Sequence, residues 1–208
     1  MFVDAVFPQG NEADLLQAAA EFGIRGMCFL YPHDRDFKNR SSSAPRTGKI
    51  SVFVGALLRP SKPERPSPGI LRAARGSKLN RQLIEHGQID LLYDAEAHPG
   101  NDSLHQRSSG LDHVMARLMA EKGIVLGINL RTLRMAGPVE RSRLFGRITQ
   151  NLALAKKYKT QVTILSGAQE PHEMRGQRDL LSLVDILAPG GMSARQVKGA
   201  LHWRLLQL

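Results

Sequence analysis

Short, predominantly apolar runs punctuate this chain: Phe2–Val6, Met27–Tyr31, Ile50–Leu58, Ile89–Tyr93, Ile124–Ile128 and Val162–Leu165. A run of this kind, apolar rather than alternating, belongs to a strand buried on both faces. Stretches with helical spacing lie between the runs, and such stretches supply the crossovers that join parallel strands. Asn11 to Phe22 carries Leu15, Leu16, Ala19 and Phe22 on one face, with Asn11 as N-cap and Gly23 closing it. Lys78 to His86 reads as a short helix. Leu111 to Lys122, ended by Gly123, places Val114, Met115, Leu118 and Met119 at helical spacing. Pro138 opens a long helix as a first-turn proline, lined inside by Leu144, Phe145, Ile148, Leu152 and Ala155. Glu173 to Val184 reads as another helix, Ile186-Leu187 as a last short strand, and Ser193 as the cap of a terminal helix running towards Leu206. Residues 34–48 and 59–69 are polar, basic and rich in Ser and Pro. They read as loops, and Pro60, Pro63, Pro66 and Pro68 exclude a helix in the second.

The pattern predicts an α/β chain: a compact, TIM-like (β/α) barrel of seven or eight mainly parallel strands, favoured over an open doubly wound sheet. No linker divides it, and 208 residues suit one well-buried domain, here 1–208, better than two. The N-terminus runs straight into an apolar strand without a basic leader, and no apolar stretch is long enough to span a bilayer. Cys28 is the single cysteine, which excludes an internal disulfide and any multi-cysteine zinc site. A cytoplasmic protein without a membrane partner is expected.

Charge narrows the function. The chain has 29 Lys and Arg against 19 Asp and Glu, a net +10. Arg35 to Arg81 holds 12 basic and 2 acidic residues, and Arg131 to Lys159 holds 8 basic and 1 acidic. The remainder has 9 basic and 16 acidic, so two segments carry the whole excess. Segregated positive charge is the footprint of a polyanion binder.

No motif for a nucleophile elbow, a phosphate loop or a dinucleotide turn is present. None of the seven histidines sits in H-x-H or H-x-x-x-H spacing. His98 and His105, with Asp94, Glu96 and Asp102, form the richest ligand-like cluster, but their spacing reads better as a polar loop after a strand. No catalytic residue, metal ligand or cofactor is therefore assigned to the chain. The basic residues point to RNA instead. Arg59, Arg131 and Arg134 each follow an apolar run, as does Ser166-Gly167-Ala168. With parallel strands these gather at one end of a barrel, where late loops present backbone N–H groups to phosphate. Arg175 and Arg178 fall three residues apart on one face of the next helix, and Arg81 closes the first basic segment. Lys156, Lys157 and Lys159 end the long helix, where cations also suit its dipole. Aromatic residues are only 5%, so contact should rest on phosphates and shape and depend steeply on salt.

Asn151-Leu152-Ala153-Leu154-Ala155-Lys156-Lys157-Tyr158-Lys159, followed by Val162 to Ala168, resembles ribonuclease P protein component 3, the archaeal counterpart of the thirty-kilodalton eukaryotic subunit. Gly76–Tyr93, Gly110–Asn129, Glu173–Leu183 and Ser193–Leu201 are similar too, so the resemblance covers residues 1–6 and 70–206. It implies a barrel related to the polymerase and histidinol phosphatase barrels and a part in removing the 5′ leader of precursor tRNA. It implies ribonuclease P RNA, protein component 2 and the other holoenzyme proteins as partners, with magnesium and the chemistry on the RNA. Two departures stand out. The metal-binding H-x-H of the phosphatase barrels is replaced by Asp4-Ala5-Val6, and Pro60 to Pro68 looks inserted. Two other readings fit the sequence: a metal-dependent phosphoesterase built around Asp4, Glu96 and His98, and a scaffold without RNA contact.

Overall fold

The structure, a computed structural model, describes residues 1–59, 68–97, 100–102, 107–188, 192 and 194–208. Most of the Pro-rich loop (residues 60–67), His98, His105 and the Ser193 cap lie outside them. Seven parallel strands follow one another in sequence order among the described residues. They are β1 (Asp4–Val6), β2 (Gly26–Pro32), β3 (Ser51–Leu57), β4 (Leu71–Arg75), β5 (Leu91–Tyr93), β6 (Val125–Asn129) and β7 (Val162–Leu165). Around them lie α1 (Glu12–Glu21), α2 (Phe37–Ser42), α3 (Asn80–Glu85), α4 (His113–Lys122), α5 (Leu130–Met135) and α6 (Pro138–Tyr158). The chain finishes with α7 (Gln177–Leu187), α8 (Ala194–Lys198) and α9 (Ala200–Leu205). The expected TIM-like α/β barrel is the observed fold.

Alternation along each strand builds two cores. Met27, Phe29 and Tyr31 of β2 pack outward under the helices. Cys28 and Leu30, between them, join Val3, Ala5, Leu71, Leu91, Val125 and Leu165 in the barrel interior. Both faces are mainly apolar, which is why most of the strands read as apolar runs rather than as alternating ones. Ala200, Leu201 and Leu205 of α9 belong to the inner core, so the last helix stoppers the end of the barrel at which the strands begin. Arg204 of α9 fixes it there: its Nη2 donates to Asp90, just before β5, at 2.5 Å.

The barrel seam between β7 and β1 is closed beyond the end of β7. Gly167 N donates to Ala5 O at 3.1 Å, and Phe7 N to Ala168 O at 2.8 Å. Ser166 N donates to Asp4 Oδ1 at 2.7 Å.

Several elements differ from the sequence reading. β4 has no apolar signature in the sequence, because Leu71-Arg72-Ala73-Ala74-Arg75 carries two arginines in a short run. Arg72 is tolerated in it because Asp90 takes its Nε at 2.9 Å and its Nη2 at 2.7 Å. α2 falls inside the 34–48 segment read as loop; with Phe37 its one buried residue, it shows no apolar period. α5 begins directly on the end of β6, capped by Asn129, whose Oδ1 accepts from Arg131 N at 3.1 Å. Ile186-Leu187 is not a strand but the last turn of α7, with Leu187 buried and Ile186 exposed, as a helix alternates them. That helix starts at Gln177 rather than Glu173, after a 3₁₀ turn at Pro171–Glu173. Gly199 divides the terminal helix in two. Asn11 takes the N-cap position of α1, yet its side chain accepts from Gln9 N instead of capping.

Candidate nucleic-acid interface

Parallel strands bring all their C-terminal ends to one mouth, and the arginines follow. Arg59 lies two residues beyond β3 and is exposed. Arg131 and Arg134 belong to α5. Arg131 pairs with Glu173, and Arg134 Nη1 donates to Glu173 O at 3.1 Å, so the two fasten the loop after β6 to the loop after β7. Arg175 precedes α7 instead of lying in it, which corrects the expected helical pair. Its Nη1 donates to the carbonyls of His172 at 2.9 Å and Met174 at 2.6 Å. Arg178 is exposed in the first turn of α7. The structure adds arginines that the sequence reading did not single out. Arg75 ends β4 with 60% of its side chain exposed, and Arg143 is exposed near the start of α6. Arg141 ties α6 to the end of α5 through the carbonyls of Leu133 and Ala136.

Not all the candidates join this rim. Helices run back against the strands, so Lys156, Lys157 and Lys159, at the end of α6, are exposed at the opposite end of the barrel. Arg81 sits on the outer flank in α3, paired with Asp112 at 2.6 Å. Ser166 and Gly167 are buried, and their N–H groups close the seam instead of facing solvent. Gly167 has a different necessity. Its φ is +61°, and a Cβ there would collide with Asn129 Oδ1. The missing side chain lets Asn129 sit against the seam and reach the floor of the mouth.

That floor is a polar network. Asp94 Oδ2 accepts from Thr132 Oγ1 at 2.9 Å, Arg75 Nε at 3.2 Å and Asn129 Nδ2 at 3.3 Å. Asp94 is only 1% exposed, and its Oδ1 has no partner. Burial raises its pKa, against the pull of Thr132, Arg75 and Asn129. Above it opens a cavity of about 610 Å³, walled by Phe7, Leu30, Pro32, Leu57 and Tyr93, with Arg75 and Arg131 at the rim. Among the described residues no group of three or more His, Cys, Asp or Glu is placed to hold a metal ion.

Two further carboxyls are buried nearby. Burial and the neighbouring Asp94 push Glu96 up to about 8. Burial pushes Asp4 up to about 6, against its bonds from Ser166. In the unfolded chain both ionise in the ordinary carboxylate range, so across the window from about pH 4 to 8 the native state holds protons that the unfolded state has released. These two groups therefore make stability fall as pH rises through that window. The thermal midpoint is expected to decline from about pH 5.5 to pH 8, and Glu96→Gln to flatten the decline. A wild-type midpoint that climbs over the same range would contradict the assignment.

Fold and site together define a class: a TIM-like parallel β/α barrel whose open mouth is ringed by arginine. Comparison with known proteins gives the family. The family model described as RNase P subunit p30 matches residues 70–206. Ribonuclease P protein component 3 of Methanosarcina acetivorans is 31% identical over 191 residues, covering 86% of this chain and 76% of that protein. The same component of Methanococcus maripaludis is 31% identical over 186 residues, covering 83% and 77%. The chain therefore belongs to the RNase P subunit p30 family and is a protein subunit of ribonuclease P, the endoribonuclease that processes the 5′ end of tRNA. Two solved structures share the fold. A chain in the cryo-EM structure of archaeal ribonuclease P with mature tRNA matches with TM-score 0.75 at 22% identity, over 99% of this chain and 90% of that one. Histidinol phosphate phosphatase from Lactococcus lactis matches with TM-score 0.56 at 12% identity, over 93% and 97%. No helix of the described residues is long and apolar enough to cross a membrane.

Proposed function

We propose that this chain supports the catalytic RNA of ribonuclease P in removing the 5′ leader of precursor tRNA, binding that RNA at the barrel mouth and protein component 2 elsewhere. The observation that carries the reading is the set of arginines at or beyond the C-terminal ends of β3, β4, β6 and β7, which the topology gathers on one rim. Arginine suits this surface because its planar fork pairs with phosphate and stacks on bases. Magnesium belongs, in this reading, to the RNA subunit. The cytoplasm is its place of work.

Reconstitution tests it. The purified chain alone is expected to leave precursor tRNA intact. Added to the RNA subunit with component 2, it is expected to raise cleavage well above the mixture without it. Equal cleavage with and without the chain would overturn the proposal.

A further inference from the structure

We propose that the mouth cavity receives one unpaired nucleobase of the bound RNA, its amino group donating to Asp94 and its phosphate meeting Arg75 and Arg131. This rests on the RNA-binding reading above and goes further, because it adds a subsite for a single base to a surface that otherwise reads only charge. The cavity, about 610 Å³, has the size of a small-ligand pocket and not of a groove that could admit a duplex. Its walls are what a base needs. In a chain only 5% aromatic, Phe7 and Tyr93 stand together at the mouth, ring centroids 5.5 Å apart, with Leu30, Pro32 and Leu57 beside them.

The floor supplies direction. Asp94 gives one oxygen to three protein donors and keeps the other unpartnered while 99% of the residue is buried. Folded proteins seldom leave a buried carboxylate oxygen without a donor. Asp94 also holds a left-handed backbone, φ +55°, unusual for a residue with a side chain. The turn it starts is clamped from outside: a Cβ on Gly110 would collide with the carbonyl of Ala95. A strained residue gripped in this way is a common feature of ligand sites. The rim supplies charge, with Arg75 60% exposed.

Chemistry sets the preference. A carboxylate oxygen only accepts, so it favours adenine, cytosine and guanine, which carry an amino group. Uracil is disfavoured, since its single ring N–H lies between two carbonyl oxygens that the carboxylate repels.

The test uses the full chain and three labelled RNAs of equal charge: a single-stranded octamer of alternating C and A, an octamer of U, and a short duplex. Anisotropy at low salt is expected to show the C/A octamer bound about tenfold more tightly than the U octamer, the worth of one charge-assisted hydrogen bond. Asp94→Asn should erase most of that difference. Should this variant fail to fold, Ala136→Trp serves. Ala136 is a partly exposed residue of the cavity wall, and the indole fills the space, bringing the C/A octamer down to the affinity of the U octamer. If all three RNAs bind alike and salt still weakens them, the base subsite is wrong while the RNA-binding reading stands. A C/A preference that survives Ala136→Trp also overturns the subsite. If none binds, both fall.

Discussion

Asp90→Ala is expected to cost about 3–5 kcal/mol, the usual loss when one partner of a buried ion pair is removed. Asp90 is fully buried at the stoppered end of the barrel. Its Oδ2 accepts from Arg72 N at 2.8 Å and Arg72 Nε at 2.9 Å. Its Oδ1 accepts from Arg72 Nη2 at 2.7 Å and Arg204 Nη2 at 2.5 Å. Burial alone would raise its pKa, but the two guanidinium groups outweigh it and hold the carboxyl below its ordinary range. Alanine leaves two arginines, each less than a quarter exposed, facing each other without their counter-charge. It also unties α9, whose Leu201 and Leu205 complete the inner core. At roughly 2–4 °C per kcal/mol for a chain of this size, the thermal midpoint should drop by about 10 °C. Asp34→Ala is the control, since its pair with Arg40 is over a third exposed on both sides and should count for little. An Asp90 variant that melts like the Asp34 variant would show that the buried network holds nothing together.

The second large effect concerns binding. Replacing Arg59, Arg175 and Arg178 together by Ala is expected to weaken RNA binding roughly 10- to 100-fold near 0.1 M salt, if each neutralises one phosphate. Arg131, Arg134 and Arg141 lock loops to one another, so their loss mixes folding with affinity. Arg59 and Arg178 are exposed beyond their strands, and Arg175 donates only to carbonyls of its own turn. The melting midpoint of the triple variant should therefore stay near wild type while its affinity falls. Unchanged affinity would remove the mouth arginines from the interface.

How much of this could be read beforehand follows from the physics of each signal. Strands buried on both faces announce themselves as apolar runs, so β2, β6 and β7 are legible together with the barrel they imply, and the apolar run of the half-buried β3 with them. β4 is not, because Arg72 breaks its run, and only the folded position of Asp90 makes that arginine acceptable. The rim could be foreseen for Arg59, Arg131 and Arg134, since each follows a strand whose direction topology fixes. Arg75 was lost with β4. Topology also separates what sequence had grouped: Lys156, Lys157 and Lys159 fall at the far end because α6 runs against the sheet. The sequence places Ser166-Gly167 where a phosphate cradle is expected, whereas the structure uses those N–H groups in a seam between residues some 160 positions apart. Asp94 stands in the ligand-like cluster whose spacing reads as a polar loop, while Asn129 and Thr132 carry one clue, their place at or just past the end of β6, where barrel sites are built.

The two basic ends of the barrel can be set directly against each other by measuring RNA affinity as a function of salt for three proteins: wild type, the Arg59/Arg175/Arg178 variant, and one with Lys156, Lys157 and Lys159 changed to Ala. If the mouth meets the RNA, the slope of log affinity against log salt should shrink by about two to three in the arginine variant and stay near wild type in the lysine variant. The opposite outcome, a slope lost with the lysines and kept without the arginines, would place the RNA on the other end of the molecule.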